Sequence, residues 1–133
     1  MEMEITFPGG ARVDASFGGF LVNTDQPPRG GGNGSAPTPF ALFLASIGTC
    51  AGIYVLNFCQ QRNIPAEDIT IRQDMEFDPE TRMVSRINMD IRLPADFPPK
   101  YRSALIKSAE LCAVKKHMET PPTFGIVTSV GQP

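Results

Sequence analysis

The chain has 133 residues, of which 41% are hydrophobic and 20% charged, and its formal net charge is −2. That is the length of one domain, residues 1–133, with a real but shallow core, and the composition excludes a disordered chain. Lys and Arg are scattered, so there is no basic stripe for nucleic acid and no polybasic segment for an anionic membrane; neither is an expected partner.

The opening MEMEITFPGG has acids where a secretory leader needs lysines, which points to a cytoplasmic protein. In that setting its three cysteines are thiols, not structural disulfides. Met1, Met3, Ile5 and Phe7 alternate with Glu2, Glu4 and Thr6, the period of a half-buried strand. After Pro8-Gly9-Gly10, the stretch 12–17 alternates again, and 20–24 follows Gly18-Gly19, so an N-terminal meander is expected. DQPPRGGGNGSAPTP (25–39) forms no regular element. Its plain reading is a flexible loop; the alternative is an ordered loop whose glycines permit close backbone approach.

Next comes an apolar helix, with Thr38 as N-cap and Pro39 at its first position, ending near Arg62 at Asn63 or Pro65. Its run of apolar residues approaches the length of a membrane span, but Ser46, Thr49 and two glycines interrupt it and polar residues follow at once. Stretches 69–77 and 86–93 alternate around Asp78-Pro79-Glu80, a hairpin with one wet face. A second helix, opened by Pro98-Pro99 and ending near Met118 or Glu119, carries an apolar stripe through Tyr101, Leu105, Ala109 and Cys112. Residues 124–130 read as a last strand. The order β-β-β-α-β-β-α-β fits an α+β fold, and a helix apolar on every side calls for a second chain to cover it.

Cys50 and Cys59 stand nine positions apart, about 180° around a helix, so they cannot act together. Cys59 shares its side with Ala45, Gly48, Gly52 and Val55, a packing surface where a cysteine serves as a small hydrophobe. Cys50 shares its side with Ser46, Ile47, Ile53, Tyr54 and Asn57, and inward-facing Cys112 is its natural partner, although two core cysteines would look the same. No metal site is expected: there is no CxxC, and the only histidine, His117, has no ligand spacing to Cys112. There is no GxSxG, phosphate loop or dinucleotide fingerprint, and no cofactor is expected.

PFALFLASIGTC (39–50) resembles the central-helix motif of the OsmC/Ohr superfamily, and LCAVKK (111–116) its second motif, normally Cys-Pro followed by Val or Tyr. TDQPPRGGGNGSAP resembles the loop before that helix, and the roughly sixty residues between the cysteines agree. The resemblance implies an OsmC-like fold, with antiparallel sheets wrapped around long central helices in an intertwined homodimer. It implies a thiol-dependent peroxidase acting on organic hydroperoxides in oxidative stress, with Cys50 as attacking thiol, Cys112 as resolving thiol and a dithiol reductant such as a lipoyl group. Phe43, Ile47 and Ile53 would line a pocket for an apolar peroxide, with Tyr54 able to hydrogen-bond there.

Cys50 lies about three turns into its helix, beyond the reach of its own helix dipole, so a cation is expected to lower its pKa. In the family that cation is an arginine held by a glutamate just after the helix-opening proline. Here Phe40 occupies the glutamate position, Arg12 is the candidate arginine and Arg29 the second choice; Ala113 stands where the family has proline. Two other readings use the same residues: a non-catalytic protein holding a small hydrophobic ligand in an interfacial pocket, and a redox-sensing thiol protein.

Overall fold

The computed structural model describes residues 1–131. The fold is α+β: among these residues there are two antiparallel sheets and three α-helices. Two compact units divide the chain, Met1–Ser46 and Ile47–Pro133.

The first unit holds β1 (Glu4–Gly9), β2 (Arg12–Phe17) and β3 (Phe20–Thr24), a meander in the order β1-β2-β3. Its turns use glycines at positive φ, Gly10 at 58° and Gly18 at 54°, where a side chain would be strained. Every residue of β1 is exposed, and Ile5, Phe7, Phe20 and Leu21 present large apolar surfaces to solvent.

The segment after β3 is ordered, which overturns the flexible reading. Asp25, buried, accepts the backbone N–H groups of Gln26 at 2.7 Å, Ser35 at 3.0 Å and Asn33 at 3.4 Å, together with the Ser35 hydroxyl. The Ser35 hydroxyl first, and then these amides, hold the Asp25 carboxyl down at about 2. Gly32 is needed for its lack of bulk: a Cβ there would lie 2.0 Å from the Gln26 carbonyl oxygen and 2.6 Å from Asp25 Oδ1.

Helix α1 (Pro39–Gln61) starts as its sequence dictates, with the Thr38 hydroxyl accepting the Ala41 N–H at 3.1 Å and Pro39 at the first position. It stops in a Schellman arrangement, in which the N–H of Ile64 reaches the Cys59 carbonyl at 2.9 Å and that of Asn63 reaches Gln60 at 3.3 Å. Asn63 takes the left-handed conformation this requires, at φ 54°. The helix is long and apolar enough to span a membrane, with mean hydropathy 1.8, yet only 17% of that window is buried.

In the second unit, β4 (Thr70–Phe77) and β5 (Val84–Arg92) pair as an antiparallel hairpin. Asp78 closes its turn by accepting the N–H groups of Glu80 and Thr81. The wet face is stitched by Asn88, whose amide donates to Asp74 at 2.9 Å and Glu76 at 2.8 Å. The core joins Val55, Phe58 and Cys59 of α1 to Phe97 and Leu105. The small-residue side of α1 does pack closely: a Cβ at Gly48 would come within 2.5 Å of Gln73 Oε1, and Gly52 lies under Ile71.

Two sequence expectations fail here. The second helix is not continuous: a 3₁₀ turn at Pro99–Tyr101 leads into α2 (Arg102–Ala109), and a break precedes α3 (Ala113–Glu119). Cys112 is thus not late on a helical stripe but is the N-cap residue of α3, at φ −47° and ψ 127°. Residues 124–130 form no strand. A strand needs a neighbour to take its backbone hydrogen bonds, and among the described residues this segment belongs to neither sheet.

Candidate functional site

Cys50 lies midway along α1 and is partly buried; Cys112 is buried and sits at the α2–α3 break. The break decides the chemistry. With extended backbone at Cys112, the chain starts a fresh helix whose first α-helical bond runs from the Lys116 N–H to the Cys112 carbonyl at 3.1 Å. The N–H groups just beyond Cys112 have no acceptor within α3 and turn toward Cys50.

The Val114 N–H, the Cys112 thiol and the Ala113 N–H together lower the pKa of Cys50, against the opposing effect of burial. The pKa of Cys112 moves the other way: burial pushes it up, and so does its role as the donor to Cys50. Cys112 Sγ also approaches the Ile47 carbonyl at 3.9 Å. The two sulfurs therefore form an unequal pair, with the thiolate favoured on Cys50 and the proton on Cys112. Such a pair can attack an electrophile through one sulfur and condense through the other. Cys59, by contrast, is fully buried, and burial raises its pKa; it is core.

Backbone N–H and thiol donors lower the pKa of Cys50, a contribution that the expectation of a cation did not include. The sequence carried a muted version of this signal. A proline directly after a cysteine marks the first position of a helix, so the family's Cys-Pro is a helix start, and Ala113 leaves that start unmarked while adding an N–H that proline lacks.

The remaining candidates divide between the units. In the first, Arg12 opens β2 and lies 3.9 Å from Asp14. Arg29 is exposed in a 3₁₀ turn, and Phe40 stacks against Phe43 with ring centres 5.7 Å apart. In the second, Ile47 is buried beside Cys112, whereas Ile53 is 48% exposed. The Tyr54 carbonyl accepts the Ser108 hydroxyl at 3.4 Å. Of the predicted site residues, the fold brings together Cys50, Cys112 and Ile47. His117 is exposed on α3.

A cavity of about 860 Å³ opens beside Cys112 but is not lined by Cys50; it is floored by Ile47 and Ala51 of α1 and walled by Cys112, α2, α3 and β5. Among the described residues no cluster of His, Cys, Asp or Glu could hold a metal.

The family model for OsmC-like protein matches residues 31–127. Similar solved structures include an Aquifex aeolicus VF5 hypothetical protein (16% identity, 90% of this chain and 87% of that one, TM-score 0.65). An organic hydroperoxide resistance protein, OsmC, of Legionella pneumophila is also similar (19% identity, 89% of each chain, TM-score 0.52). A higher TM-score, 0.73, is reached with a Psychrobacter arcticus 273-4 protein assigned to osmotic stress and the detoxification response (22% identity, 86% and 85% covered). No curated protein matches the sequence significantly.

Proposed function

Since the chain belongs to the OsmC-like family, we propose that it reduces organic hydroperoxides through its two paired thiols, in the manner of a cysteine peroxidase. The reading rests on one observation: the donors that converge on Cys50 lower its pKa while that of Cys112 rises. Hydroperoxide resistance among proteins of the same fold is consistent with it.

The Cys50 thiolate attacks the outer peroxide oxygen and breaks the O–O bond. Cys50 becomes a sulfenic acid, and the leaving alkoxide takes up a proton and departs as an alcohol. The Cys112 thiol then attacks the Cys50 sulfur; the S–S bond forms as S–O breaks, and the hydroxyl leaves as water. A dithiol reductant returns both thiols by disulfide exchange and is itself oxidised. Val114 and Ala113 hold the charge on Cys50 before attack, and Cys112 keeps its own proton until condensation. Arg12 and Arg29 remain candidates for orienting the peroxide, with Phe40, Phe43, Ile53 and Tyr54 as candidates for its apolar surroundings.

The test is to treat reduced protein with cumene hydroperoxide and map its thiols by mass spectrometry. A Cys50–Cys112 disulfide is expected, with Cys59 untouched. Unmodified Cys50 together with slow alkylation of Cys50 at neutral pH would sink the reading.

A further inference from the structure

The cavity beside Cys112 is built by residues 47–118 alone, within one compact unit. Its 860 Å³ falls in the range of about 300–1,000 Å³ that takes a small molecule. Ile47, Ala51, Leu105 and Ile106 give it an apolar lining, and Met89 and Met118 add side chains that adapt to a guest.

Charged residues share that lining, and they are not equivalent. Arg92 is paired with Asp90 at 3.2 Å, and Lys115 with Glu119 at 3.9 Å. Among the described residues Arg102 has no ion pair, and neither has Glu110. Arg102 is the first residue of α2 and Glu110 its C-cap, so they stand about 12 Å apart along the helix. The lining thus carries three cations against two acids, with the unengaged guanidinium at one end and a carboxylate at the other.

That distribution selects a guest. A guanidinium without a partner offers a fork of donors to a carboxylate. An aliphatic tail behind that carboxylate would run along α2, past Leu105 and Ile106, toward Cys112. Glu110 at the far end repels a second negative charge, so the guest carries only one. Cys50 is not in the lining, so this guest is distinct from a peroxide attacked by that thiolate.

We propose that the cavity binds an aliphatic monocarboxylate, with its head on Arg102 and its tail directed along α2 toward Cys112. The site goes beyond the peroxidase reading and does not depend on it.

The probe is decanoate, titrated calorimetrically into the full reduced chain. Binding is expected with a negative heat-capacity change, the mark of apolar burial, and with NOEs from the tail to the methyls of Ile47, Leu105 and Ile106. Arg102→Gln should weaken decanoate about tenfold or more and leave decanol, the neutral analogue, unchanged. On the unsubstituted chain, decanol and decanedioate should both bind more weakly than decanoate. Equal decanoate affinity in Arg102→Gln, or no NOE to these methyls, overturns the proposal. Equal affinity of the unsubstituted chain for decanoate and either analogue overturns it too, whatever the substitution does to folding.

Discussion

At the scale of the residue, the two cysteines differ because one sulfur receives hydrogen bonds and the other donates one. Replacing Cys112 by serine keeps a donor beside Cys50, whereas alanine removes it. The Cys50 alkylation midpoint should therefore stay low in Cys112→Ser and rise only part of the way toward the ordinary thiol value of about 8.5 in Cys112→Ala, where the Val114 and Ala113 amides still donate. Only the thiolate reacts, so each pH unit of that rise slows alkylation at neutral pH about tenfold. Both variants should stop at the Cys50 sulfenate after peroxide, which a dimedone adduct would register. Asp25 gives the second prediction. Its folded pKa is lowered to about 2, so its stabilisation is complete above the ordinary carboxylate range and is lost as pH falls from there through about 2. Denaturation midpoints of the parent should drop across that window, and Asp25→Asn, less stable at neutral pH, should show a flatter acid limb.

At the scale of the element, what was legible depended on how local its cause is. The meander, the hairpin and both ends of α1 were written in turn glycines, in alternation, in Thr38-Pro39 and in Asn63, each acting on its immediate neighbours. The break before α3 was not legible, because Ala113 is as content inside a helix as at its start. The donors to Cys50 escaped for a related reason: a backbone N–H has no residue signature, so the pair could be found by spacing and resemblance but its activation could not. The ordered loop was half visible, since its glycines allowed close approach without naming Asp25 as what they approach. Gly32→Ala should destabilise the protein by about 2 kcal/mol, because the atom it meets is a backbone carbonyl that cannot swing away. Leu105→Ala, in the best-buried part of α2, should cost about 3 kcal/mol in urea melts.

At the scale of the molecule, one chain leaves too much apolar surface bare. The sequence foretold this in α1, whose apolar residues occur on every side, and the structure shows it again on β1–β3 and after α3. A stability that depends on a second copy depends on concentration. Each tenfold increase in protein is then worth about 1.4 kcal/mol per dimer, and Tm should climb by roughly 2–3 °C per decade. A Tm independent of concentration over three decades would contradict a dimer that dissociates as it unfolds.

The amides at the start of α3 hold on to a negative charge, and a disulfide has none to offer them. Oxidation of the Cys50–Cys112 pair would forfeit that interaction, so the reduced state is favoured, and each tenfold of such bias raises the two-electron potential by about 30 mV. If the pair cycles as proposed, the oxidised chain is a comparatively strong oxidant that surrenders its disulfide to even a mild dithiol. The short helix would then favour the second half of turnover, the return to the thiols, as much as it prepares the first attack.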